Sequence, residues 1–126
     1  MNTIENVSDT ARWVAVYRAM ETERPDALFA DPFARKLAGV QGDEIVRSLK
    51  DGRSMAWAMI VRTQVFDEII MAAVNTDGID LVVNLAAGLD ARPWRLALPP
   101  SLHSVDVELP DLLRYKPENP PEAPPR

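Results

Sequence analysis

Apolar positions in this chain follow two rhythms, and the change comes at Gly78. Before it the spacing is helical. Ala11, Val14, Ala15, Tyr17 and Ala19 make one broad face behind Ser8-Asp9, which predicts an N-cap and a helix running to about Met20. Pro25 and the pair Asp31-Pro32 predict two short helices, Pro25–Phe29 and Pro32–Ala38, before Gly39 and Gly42 break the chain. A helix over Glu44–Leu49 is expected next. Ser54 is then expected to cap the longest helix, Met55–Val74, which Asn75-Thr76-Asp77-Gly78 stops.

After Gly78 short apolar runs replace the helical period. Asp80–Leu85 reads as a first strand, Ala91–Leu96 as a helical turn, Pro99-Pro100 as a loop and Ser104–Glu108 as a second strand. A further helix is expected over Asp111–Tyr115, behind Pro110. The last eleven residues, KPENPPEAPPR, hold five of the chain's eleven prolines and predict no packed element. The pattern is helices followed by the opening of a parallel α/β sheet. Two parallel strands need cover on both faces and both edges, so the reading is of the N-terminal part of a larger protein or of a shortened gene product.

Composition narrows the chemistry. The 126 residues include 19 acidic and 14 basic side chains, a net charge of -5, which argues against non-specific nucleic-acid binding. The absence of cysteine removes disulfides, thiolate metal sites and cysteine nucleophiles, and a single histidine, His103, excludes a multi-histidine metal site within these residues. Glu5 and Asp9 interrupt any signal-peptide core, and no uncharged apolar run reaches the ~18 residues of a membrane span. The expectation is a cytoplasmic protein with neither nucleic-acid nor membrane partners.

The chemistry-bearing stretch is LVVNLAAGLDARPWR, Leu81–Arg95. Its strand stops at Ala86-Ala87-Gly88, small residues that let a ligand approach the backbone; the bland alternative is an ordinary tight turn. Twenty positions after Gly88 comes Glu108, in SVDVELP. Alternation puts Asp106 and Glu108 on one strand face, with Glu108 nearer the carboxyl end, where ligands bind in open α/β sheets. A carboxylate there can accept both hydroxyls of a ribose; otherwise it is an edge carboxylate in solvent. The loop lacks the G-x-G-x-x-G of dinucleotide enzymes and the Gly-Lys-Ser/Thr of a phosphate loop, so a nucleoside cofactor without phosphate, such as S-adenosylmethionine, suits it better than NAD.

Arg62 lies in the apolar run of the longest predicted helix, and either snorkels, joins an internal salt bridge or meets a buried anion such as an amino-acid carboxylate. Trp13, Tyr17, Trp57 and Trp94 read as packing residues. Arg92 and Arg95 read as a structural pair tying the post-loop turn to the N-terminal helices. Asp31-Pro32-Phe33 reads as a simple redirection of the chain, and His103 as a loop residue.

The order SDTARWVAVYRAMETERPDALFADPFARKLAG, MIVRTQVFDEII, VVNLAAGLDARPWRL and VDVELPDLLRYK resembles the leucine carboxyl methyltransferase family, closest to its bacterial S-adenosylmethionine-dependent branch. The similarity runs from about Val7 to Lys116. It implies a Rossmann-like class I methyltransferase fold (α/β) with an N-terminal helical cap, here truncated after the second strand. The implied division is a cap over 1–78, the start of the cofactor domain over 79–116 and a proline-rich end over 117–126. By resemblance, Arg62 holds the cofactor's carboxylate, Ala86, Ala87 and Gly88 line its methionine portion, and Glu108 binds its ribose. Two departures stand out. Ala86 replaces a usual glycine, tolerable only at negative φ, and Glu108 replaces a usual Asp. The implied acceptor is a small molecule or a carboxylate, with no catalytic base assignable. A non-catalytic remnant or interaction module of methyltransferase ancestry is the competing reading, and an NAD-dependent oxidoreductase a weaker one; the truncated chain is expected to self-associate through its uncovered sheet.

Overall fold

A computed structural model describes residues 6–121. It is a mixed α/β structure in which helices precede a two-stranded parallel sheet. Helix α1 spans Val7–Thr22 and is capped by Asn6, whose side chain accepts the Asp9 N–H at 3.0 Å, two residues ahead of the expected Ser8 cap. Ala15, Val16, Tyr17 and Ala19 are buried on it, and so are Asp9, Arg18 and Glu21. A helix buried on so many sides is a central element, and its buried charges need partners.

The expected helix over Pro25–Phe29 is absent; residues 23–29 form turns and bends. The reason is Glu21, fully buried, whose carboxylate accepts the Leu28 N–H at 2.8 Å and the Arg24 guanidinium at 3.2 Å. That side chain organises the turn in place of helical backbone bonds. Helix α2, Ala34–Ser48, joins the two helices expected on either side of the glycines, with the break confined to Gly39 at φ 63. Gly42 stays helical. A Cβ there would lie 2.9 Å from Val16 Cγ2 and 3.1 Å from the Arg12 carbonyl, so glycine allows α2 to approach α1.

Helix α3, Ala56–Thr76, starts at Met55 without a side-chain cap, because the Ser54 hydroxyl donates instead to the Asp51 carbonyl. It ends at Asp77, just before Gly78 at φ 68, where the sequence placed its stop. Strand β1, Leu81–Leu85, pairs in parallel with β2, His103–Val107, with Leu81 opposite His103 and Leu85 opposite Val107. His103 therefore opens a strand rather than lying in the loop, and Glu108 follows the last strand residue. Between them lies the single turn α4, Arg92–Arg95; α5, Pro110–Tyr115, comes after β2. Residues 117–121 form neither helix nor strand, and the rest of the proline-rich end lies outside the described residues.

The core sits in the helical part. Tyr17, Val16, Leu37 and Val46 pack there with Leu89, Ala91 and Leu112 from the α/β part. Trp13 meets Tyr17 edge-on at 5.8 Å and Trp94 meets Phe33 at 5.7 Å, as packing residues do. Trp57 differs from that expectation: it is 69% exposed. Among the described residues no helix is long and apolar enough to cross a membrane, and no cluster of potential ligands could hold a metal ion.

Candidate functional site

At the carboxyl end of β1 the backbone turns sharply. Ala86 has φ 54 and Gly88 has φ 56, and Ala86 is the one non-glycine residue with positive φ among the described residues. The negative φ expected for Ala86 is thus corrected. A left-handed alanine costs about 1–2 kcal/mol, because its Cβ crowds the following carbonyl. The compensation lies in hydrogen bonds: Ala87 N–H extends the ladder to the Val107 carbonyl at 3.2 Å, and Asp90 N–H reaches the Ala87 carbonyl at 3.1 Å. A Cβ on Gly88 would lie 3.5 Å from Ala11 Cβ, an ordinary contact, so conformation and not space calls for glycine there.

Glu108 faces this loop. Its Oε2 accepts the Gly88 N–H at 2.8 Å and its Oε1 the Leu109 N–H at 2.7 Å. Asp106 does something else: it accepts a hydrogen bond from Lys116 Nζ at 2.5 Å, and that ammonium also lies 5.4 Å from the Trp94 ring. The two carboxylates of the SVDVELP run are therefore separated in role. Arg62, on α3, is exposed and makes no ion pair among the described residues. Arg62, Ala86, Ala87, Gly88 and Glu108 all line one cleft of 740 Å³, bounded by α1, α3 and the length of β1. Val14, Phe66 and Ile70 give it apolar walls.

Sequence reasoning missed what holds the cleft's floor. Arg18 Nε donates to Asp31 at 2.8 Å, and its Nη2 to the Leu89 carbonyl at 2.5 Å. Asp67 of α3 receives Arg92 and Arg95, each at 2.7 Å. Asp90 accepts from Arg92 and from Asn84 Nδ2, again at 2.7 Å each. With Arg95 Nε 3.9 Å from Asp31, three arginines and three aspartates form a neutral, largely buried network between the helices and the loop. Burial opposes ionisation of Asp90, but the Arg92 charge and its hydrogen bonds outweigh it and hold the carboxyl below its ordinary value. The same burial disfavours charged Arg92, and Asp90 and Asp67 more than offset it, so its pKa is raised. The expected structural role of Arg92 and Arg95 is what the contacts show. Asp31 does more than redirect the chain. Asp67 could have been found: a carboxylate in an apolar helical run raises the same question as Arg62.

Residues 11–121 match the leucine carboxyl methyltransferase family. The chain belongs to that family. A relative from Mycobacterium marinum is 35% identical over 129 residues, covering 89% of this chain and 40% of its own length. One from Rhodococcus jostii is 37% identical over 121 residues, covering 91% and 41% respectively. A third, from a Parafrankia species, is 40% identical over 118 residues, covering 87% and 38%. All three are named as candidate S-adenosyl-L-methionine-dependent methyltransferases. This leucine carboxyl methyltransferase family member spans about 40% of the length of such relatives, and the matched stretch includes every cleft residue named above.

Proposed function

We propose that this chain carries the cofactor-binding part of an S-adenosyl-L-methionine-dependent methyltransferase. In this reading residues 1–78 are a helical cap, 79–116 open a Rossmann-like class I domain, and 117–126 are a proline-rich segment. The carrying observation is the placement of an unpaired Arg62 and a loop-bound Glu108 in one apolar cleft, around backbone that turns through two positive φ values.

The residues fit the group. Arg62 offers a planar fork to an α-carboxylate. The Ala86–Gly88 loop carries no side chain beyond Cβ, so the methionine portion can lie against backbone. Each Glu108 oxygen accepts one N–H and keeps a further lone-pair site, enough for two ribose hydroxyls. The one-turn α4 offers no cradle for a pyrophosphate. Held by Arg62, the loop backbone and Glu108, the cofactor would supply an electrophilic methyl group on a sulfonium. The protein's share is alignment and exclusion of water. Val14, Phe66 and Ile70 exclude water, and the anchors at Arg62 and Glu108 set alignment. We favour O-methyl or carboxyl methyl transfer to a small-molecule or carboxylate acceptor, since a carboxylate is already ionised and needs no base.

Calorimetric titration separates the readings. S-adenosylhomocysteine is expected to bind the protein and NAD to give no heat. Equal or tighter binding of NAD would return the site to dinucleotide chemistry.

A further inference from the structure

The Ala86-Ala87-Gly88 loop stores conformational strain at a residue that is not glycine. Ala86 and Gly88 are both left-handed, at φ 54 and 56. Gly88 adopts this freely, but Ala86 does not. The far side of the loop is held by Arg18 on the Leu89 carbonyl and by Asn84 on Asp90, both beyond Gly88. On the near side the contact from outside β1 and β2 backbone is Glu108. Its Oε1 is fixed by the Leu109 N–H at the start of α5, which presents Oε2 to the Gly88 N–H across twenty residues of chain.

We propose that Glu108 is the latch of this loop: its carboxylate keeps Ala86 left-handed and the loop closed against the end of β2 before any ligand arrives. The bonds to charged oxygen are of the stronger kind, and the partly buried Gly88 N–H has no other partner among the described residues. Glu108 is then a positioning residue in the ligand-free protein. Because each oxygen retains an acceptor site, the same carboxylate can receive ribose hydroxyls without releasing the loop; this last step alone rests on the cofactor reading above.

Backbone hydrogen exchange at single-residue resolution, on the ligand-free 126-residue chain, tests the latch directly. Glu108→Ala should accelerate exchange of the Gly88 amide by about tenfold or more, while the Ala15 and Tyr17 amides of α1 stay protected. Glu108→Gln should give a smaller acceleration, because one acceptor oxygen remains in a side chain of the same size. In an Ala86→Gly background, Glu108→Ala should accelerate Gly88 clearly less, since the loop no longer stores the alanine's strain. Unchanged Gly88 exchange in both Glu108 variants overturns the latch. Equal acceleration in the two backgrounds overturns the part concerning Ala86. If Glu108→Ala also exposes the α1 amides, Glu108→Gln carries the comparison. Titration with S-adenosylhomocysteine keeps the two ideas apart. A Glu108→Ala variant with weakened binding but unaltered Gly88 exchange rejects the latch and keeps the ribose contact. Accelerated exchange in a protein that never binds S-adenosylhomocysteine keeps the latch and rejects the cofactor reading.

Discussion

Arg62 and Glu108 carry opposite charges into one cleft, and they differ in what already holds them. Arg62 has no ionic partner among the described residues, so a ligand carboxylate would be its first. If that pairing is bidentate, Arg62→Lys should weaken S-adenosylhomocysteine binding nearly as Arg62→Ala does, because a point charge cannot reproduce the fork. Calorimetry on the two variants checks this, and equal affinity in both and in the parent would leave Arg62 a surface residue. Glu108 is already engaged by two N–H groups, yet Glu108→Ala should still cost about 1.5–3 kcal/mol of cofactor affinity, the range for bonds to a charged group. Asp106→Ala should leave that affinity almost unchanged and lower stability instead, since its partner is Lys116 on the far side of the strand tip. Reversal of that ranking in paired titration and unfolding experiments would remove Glu108 from the ribose position.

Between elements, the decisive contacts are ionic. Asp90 is 7% exposed and stands between Asn84 of β1 and Arg92 of α4. Its folded pKa lies below the ordinary 3.8. The sign of the linkage follows: the stabilisation is complete above the unfolded value and is lost as pH falls through the folded one. Asp90→Asn removes the titrating group, so its stability should fall less steeply than the parent's as pH drops below about 4. Denaturant unfolding at stepped pH from 6 to 3 measures both slopes; parallel slopes would mean that Asp90 is not a source of acid sensitivity. The same network shows where sequence reasoning stops. Apolar period located α1, α3, both strands and the residues of the loop, because periodicity is local information. The turn at residues 23–29 was misread because Glu21 looks like a surface acid until burial shows it bonded to Leu28. Asp31 and Asp67 were missed for the same reason: their partners lie on other elements, and only the fold brings Arg18, Arg92 and Arg95 to them; Asp90 has Arg92 two residues away, but its bond to Asn84 and its burial also needed the fold. The φ of Ala86 was misjudged because a side chain twenty-two residues away helps decide it.

At the scale of the whole molecule, a set of paired charges is buried while much apolar surface is left exposed. Leu81 and Val83 are each 51% exposed and Leu85 is 73% exposed, along one face of β1, and Val105 and Val107 continue that exposure on β2. Trp57, Val61, Val65 and Ile69, four residues apart on α3, add a second exposed apolar stripe. Patches of this kind on an isolated soluble protein mark contact surfaces, and a two-stranded sheet also leaves both edges free to pair. The net charge of -5 opposes close approach only weakly at physiological salt, where screening acts within about 8 Å. The 126-residue chain alone is therefore expected to self-associate in a concentration-dependent way, and to transfer no methyl group from labelled cofactor. Sedimentation velocity across a dilution series measures the first, and replacing Leu85 and Val83 by lysine should shift the distribution towards monomer without exposing the helical core. A parent chain that stays monomeric at every concentration, unfolds cooperatively and turns over labelled cofactor would mean that the helical layer and two strands are enough for catalysis.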